Sequence, residues 1–141
     1  MWKPPETPKV AVDAVIWNRS SIVIIQRVFP PFGFALPGGF VDVGESCEEA
    51  VVREVKEETN LDCSIINLIG VYSNPDRDKR GHIISVAYNL KVGVGHLYLD
   101  LEARDDAKHA QFISVADLCM NRLQMINDHH KILMDGIGGL K

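Results

Sequence analysis

Long apolar runs are missing from this chain of 141 residues; the longest purely aliphatic stretch is Ile22-Val23-Ile24-Ile25. A helix needs about 20 apolar residues to cross a bilayer, so a helical membrane span is not expected. Cysteine is scarce. Cys47, Cys63 and Cys119 stand far apart, odd in number and without a C-x-x-C pair. That spacing speaks against a disulfide framework or a thiolate zinc site and points to a reducing, cytoplasmic setting. Positive charge is also thin, with 15 Lys and Arg against 19 Asp and Glu for a net −4. Binding along a polymeric nucleic acid rests on many phosphate-neutralising cations, so such a partner is not expected. A small anion carried with metal ions stays compatible. The N-terminal MWKPPETPKV has no apolar leader, so no export signal is expected. Repeats, low-complexity tracts and linkers are absent too, and residues 1–141 are read as one domain.

What is present is a core-forming composition, 46% apolar. Val10 to Trp17 and Ser21 to Val28 are rich in β-branched residues and read as strands around a short polar turn. The segment FPPFGFALPGG reads as a loop. Cys63 to Ser73, His82 to Val92 and AQFISV read as further strands. Ser114 is placed to cap a helical turn through Leu118, and a last helix is expected between Asn121 and Met134, ending before GIGG. Many strands around one central and one terminal helix give a mixed α/β (α+β) class.

The strongest helix is predicted over Cys47 to Thr59. Ser46-Cys47-Glu48-Glu49 is a capping box, and Asn60 tolerates the left-handed turn that ends a helix. At about 100° per residue, Val51, Val52 and Val55 face a core while Glu49, Arg53 and Lys56 point away. Between them runs a stripe of Glu54, Glu57 and Glu58. These carboxylates repel one another and sit near the negative end of the helix dipole, and desolvation beside the core raises their proton affinity. Lys56 points away, and Arg53 alone is not expected to serve three carboxylates. The stripe is either a solvated acidic face or a seat for a hard divalent cation, which takes oxygen ligands.

The flanking residues favour the second reading. Gly39, Glu45, Arg53, Glu54, Val55, Glu57, Glu58 and Leu61 fall at the fixed spacings of a longer signature, in which Asn60 replaces a glycine. The segment Gly39 to Leu61 resembles the signature of the Nudix hydrolases, and the likeness extends from about Val10 to Ile113. The resemblance implies a Nudix fold, a mixed β-sheet between helices. It also implies Mg²⁺, with Mn²⁺ as a substitute, held by Glu54, Glu57 and Glu58 with help from the carbonyl of Gly38 or Gly39. Glu45 and Arg53 would pair to hold loop against helix. Glu57 is the expected base, with Glu102, Asp105 and Asp106 as alternatives. The resemblance further suggests a homodimer acting on a nucleoside diphosphate.

Gly70 to Tyr88 is similar to ADP-ribose pyrophosphatases in its Ser73-Asn74-Pro75, Arg77-Asp78 and Gly81-His82. The implied reaction splits ADP-ribose into AMP and ribose 5-phosphate. Nucleoside triphosphates, dinucleoside polyphosphates or nucleotide sugars are alternative substrates, and a sensing module that binds without cleaving is the alternative class. Arg27, Phe34, Gly38, Gly39, Pro75, Arg77 and Arg80 are the expected substrate contacts; Arg77 and Arg80 read equally as a solvated turn. His129-His130 reads as ordinary helix surface, since neighbouring helical side chains diverge by about 100°.

Overall fold

The protein is described by a computed structural model over residues 1–94, 100–120 and 123–140. Seven strands form one sheet around β1 (Lys9–Asn18). β1 runs parallel to β6 (Ile83–Val92) along its length and antiparallel to β2 (Ser21–Arg27) at its end. β2 carries β3 (Phe34–Ala35) and β7 (Ala107–Ser114) as neighbours. β4 (Gly38–Phe40) pairs with Ala11, Val12 and Asp13 at the start of β1. β5 (Cys63–Tyr72) lies outside β6 as an edge.

Alternation along β1 decides the two layers. Val12, Ala14 and Ile16 pack with Ala50, Val51 and Val55 of α1 (Cys47–Thr59). Val15 points the other way and packs with Ile132, Leu133 and Ile137 of α3 (His129–Gly138). A short α2 (Val115–Met120) adds Leu118 to this second core. The sheet is therefore sandwiched between helices, the mixed architecture expected. Each fully buried valine here contributes about 1.5–3 kcal/mol relative to an exposed one.

Helix α1 has the predicted ends. Ser46 Oγ accepts the Glu49 N–H at 3.0 Å and the Glu49 carboxylate accepts the Ser46 N–H at 3.1 Å. Asn60 closes the helix at φ 67°, and its side-chain amide donates to the Asp100 carbonyl at 3.0 Å. Two other expectations need correction. The FPPFGFALPGG loop contains β3 and the start of β4, because Pro37 and Gly38 bring the chain back beside β1. The last helix does not end before GIGG; it runs to Gly138. Gly136 is inside it because a Cβ there would lie 2.9 Å from Ile69 Cδ1 and 3.1 Å from Asn89 Oδ1. Glycine lets α3 lie close on the sheet. Asn121, the outer limit set for that helix, lies outside the described residues, and the helix begins at His129.

Candidate active site

The C-terminal half of α1 faces the Gly38-Gly39 turn of β4. The Gly38 N–H donates to Glu58 Oε1 at 3.1 Å. A Cβ on Gly39 would collide with the Glu54 carboxyl, and one on Gly38 with the Val12 carbonyl oxygen. The two glycines are thus required by close approach: backbone from one side, carboxylates from the other.

Glu58 is 3% exposed. Burial pushes its carboxyl up to about 9; Glu54, Asp106 and Asp13 push the same way, while the Gly38 N–H opposes them. Burial also raises Glu54, against the Arg53 guanidinium, and the Glu54 and Glu58 carboxyls are close enough to share a hydrogen bond. Asp106 is brought in by two backbone bonds, Glu102 N–H to the Thr59 carbonyl and Arg104 N–H to the Glu58 carbonyl, both 2.9 Å. The predicted desolvated, mutually repelling stripe is present for Glu54 and Glu58.

Glu57 behaves differently. Its side chain is 44% exposed and accepts from Arg53 Nη1 at 3.1 Å, and it does not line the cleft beside Gly38. Arg53 reaches Glu45, as expected, and two of the three stripe carboxylates. It bonds Glu45 at 2.7 and 2.8 Å, Glu54 at 2.9 Å and Glu57, and donates to the Phe40 carbonyl at 3.0 Å. The planar fork of one guanidinium thus ties Glu45 to Glu54 and Glu57, while Glu58 takes the Gly38 N–H instead, so Arg53 does not serve the whole stripe, as expected. An ideal helical wheel does not show the reach of that side chain. The Arg53 bonds, followed by the Asp42 N–H, hold Glu45 down to about 2, so the predicted loop-to-helix strut is present and ionised.

The cleft, of about 210 Å³, is lined by the carboxylates of Asp13, Asp42, Glu54 and Asp106 and by Arg27, Arg77 and Arg80. Arg27 Nε donates to the carbonyls of Phe29 and Pro31. Arg77 is locked: its side chain is 3% exposed, held by Asp128 at 2.6 and 2.9 Å and by the Ile83 carbonyl. It is no solvated turn residue. Arg80 is oriented by the buried Asp78 at 2.8 Å and lies 5.6 Å from the centre of the Phe40 ring. Phe34 lies outside the cleft. It lines a neighbouring recess of about 450 Å³ with Phe32, Lys79 and Asn127, which meets the cleft at Ile126. Pro75 is exposed and is not part of the cleft wall.

Two residues of the site were missed in the sequence. His129 is 6% exposed and stands in the cleft wall, not on the surface. Asp13, in the middle of an apolar strand, lies beside it and was readable only as a charge in the wrong place.

Among the described residues, no three acidic, histidine or cysteine side chains form a ready-made metal cage. The donors that do converge, Glu54 and Glu58, are hard oxygen ligands whose repulsion a cation would relieve. Mg²⁺ is commonly held by one or two carboxylates, water and substrate phosphates rather than by a complete protein cage. The residues fit such an ion.

Carboxylates and arginines thus meet in one cleft beside a diglycine turn. Residues 7–135 match the family described as NUDIX domain, and the chain belongs to the Nudix family. It is a Nudix hydrolase, 49% identical over 130 residues to the ADP-ribose pyrophosphatase of Methanocaldococcus jannaschii, covering 91% of this chain and 72% of that one. It is 41% identical over 70 residues to a putative 8-oxo-dGTP diphosphatase of Bacillus subtilis, covering 49% of this chain and 46% of the relative. Among solved structures, a bifunctional NMN adenylyltransferase/ADP ribose pyrophosphatase from Francisella tularensis, complexed with AMP and a Mn ion, superposes with TM-score 0.83 at 27% identity. That match covers 99% of this chain and 44% of the other.

Proposed function

We propose that the protein cleaves the pyrophosphate of ADP-ribose to AMP and ribose 5-phosphate, with Mg²⁺ or Mn²⁺ held at Glu54 and Glu58. The observation that carries this reading is one cleft lined by Glu54 and Asp106 together with Arg27, Arg77 and Arg80, with the buried Glu58 held against the Gly38 N–H at its edge. The kinship to an ADP-ribose pyrophosphatase over most of the chain supports the substrate.

Bound at the carboxylates, a divalent ion supplies charge neutralisation and lowers the proton affinity of water. The chain does the rest by positioning and charge. Arg27 and Arg80 face the diphosphate oxygens, and Arg77 carries its charge on a strut that does not reorganise. Water adds to one phosphorus, the P–O–P bond breaks, and the bridging oxygen leaves with the other phosphate. The water proton passes to a carboxylate. Asp106 serves best as that acceptor, because it lines the cleft, whereas Glu57 is turned to Arg53. The recess with Phe32, Phe34 and Asn127 accommodates a part of the substrate beyond the diphosphate.

A cytoplasmic location is supported by three free cysteines, and no described helix is long and apolar enough to cross a membrane. A homodimer is supported by the β5 edge, where Ile66, Leu68 and Val71 are exposed.

The test is incubation with Mg²⁺ and ADP-ribose, nucleoside triphosphates including 8-oxo-dGTP, dinucleoside polyphosphates and nucleotide sugars, followed by product separation. Preferential release of AMP and ribose 5-phosphate from ADP-ribose is expected. Equal or faster turnover of a triphosphate would overturn the substrate assignment. Binding of ADP-ribose without turnover would move the protein to the sensor class.

A further inference from the structure

We propose that His129, with Asp13 behind it, is a positioning residue for the cleavage reaction: it fixes the Leu36–Gly38 turn, and through the Gly38 N–H it aims the Glu58 carboxylate. The proposal rests on the hydrolytic reading above.

The geometry runs in one direction from α3 into the site. The Leu36 N–H donates to His129 Nδ1 at 3.0 Å, across 93 residues of sequence. Nδ1 is therefore an acceptor, so a neutral ring carries its proton on Nε2. Nε2 stands 3.5 Å from Asp13 Oδ1, and Asp13 Oδ2 accepts from Ser85 Oγ. Burial lowers the proton affinity of His129 and raises that of Asp13, which favours the neutral ring this geometry requires.

Each residue of the turn is held by a different partner. Leu36 hangs on His129, the Pro37 carbonyl accepts from the Ala14 N–H at 2.8 Å, and Gly38 pairs with Asp13 across the ladder. The free side of Gly38 donates to Glu58. Without His129 the Leu36 N–H loses its side-chain acceptor, and an unsatisfied buried donor forces a backbone to move or to admit water. The turn has only backbone at Gly38 and Gly39 with which to adjust; Glu58 lies against the first and Glu54 against the second. A shift of the turn is a shift of the carboxylates. His129 and Asp13 also stand in the cleft wall, so the strain of their loss is delivered where the substrate sits.

The experiment compares His129→Phe, which keeps a ring and removes the acceptor, with His129→Asn, whose Oδ1 can stand in for Nδ1. With ADP-ribose and Mg²⁺, His129→Phe is expected to lower kcat about 10- to 100-fold with KM changed by less than about threefold, and His129→Asn to recover most of that loss. A second readout needs neither ion nor substrate. Amide hydrogen exchange at Leu36 and Gly38 should quicken in His129→Phe and stay slow in the wild type and in His129→Asn. Unchanged kcat in His129→Phe, a loss confined to KM, or slow exchange at both amides in that variant would overturn the proposal. If the wild type cleaves no diphosphate, the functional reading fails while the exchange data still decide whether His129 holds the turn. Should His129→Phe not fold, Asp13→Asn removes the carboxyl facing Nε2 at constant shape and is judged by the same two readouts.

Discussion

Glu58 carries the sharpest consequence at the scale of single residues. Its carboxyl is raised to about 9 in the folded chain, against about 4.5 for an ordinary glutamate. In that window the folded state holds a proton that the unfolded state has released. Relative stability is thus greatest below about pH 4.5 and is lost as pH rises toward 9. With divalent ions chelated, unfolding free energy is expected to fall across this range by at most about 1.4 kcal/mol per pH unit. Glu58→Gln should flatten that dependence and raise the chelated melting temperature at pH 8 while removing most of the activity; denaturation across the pH series with and without chelator checks it. Arg53 gives a second case. Lysine keeps the charge but cannot fork toward Glu45, Glu54 and the Phe40 carbonyl together. Arg53→Lys is expected to lower kcat about 10- to 100-fold, with a smaller effect on melting temperature, as steady-state kinetics and calorimetry would report.

The elements differ in how much of them could be read from sequence. Helix α1 was legible to the residue because both of its ends are local chemistry: a capping box at Ser46 and a left-handed Asn60. That locality is testable. Asn60→Gly should be nearly neutral, since ease of positive φ offsets the lost bond to the Asp100 carbonyl, whereas Asn60→Val should cost roughly 1–2 kcal/mol in chemical denaturation for the left-handed turn alone. The acidic stripe was legible as well, but not its division of labour. Spacing placed Glu54, Glu57 and Glu58 together; only side-chain reach tells that Arg53 draws Glu57 outward. Helix α3 was misread at its end because Gly136 looks like a breaker until Ile69 and Asn89 are seen against it. His129 was misread because its acceptor role depends on Leu36, far away in the chain.

At the scale of the whole molecule, the fold class followed from strand and helix patterns, whereas the cleft arises from long-range pairing. β1 joins β6 in parallel, β4 folds back on β1, and α3 covers the face opposite α1. Val15, Ile22 and Ile24 are nearly inaccessible to solvent under α3 and α2. Ending the chain at Asn127 would uncover them, and cooperative thermal unfolding, followed by circular dichroism, is expected to disappear along with activity. A retained sharp transition would show that α3 is dispensable to the core.

The pairing of Asp13 with His129 also sets a timetable. Asp13 is made early and His129 late, and they meet only after the intervening strands have been laid down. A ribosome-bound chain halted before α3 has its glutamates but still lacks the ring that accepts the Leu36 N–H.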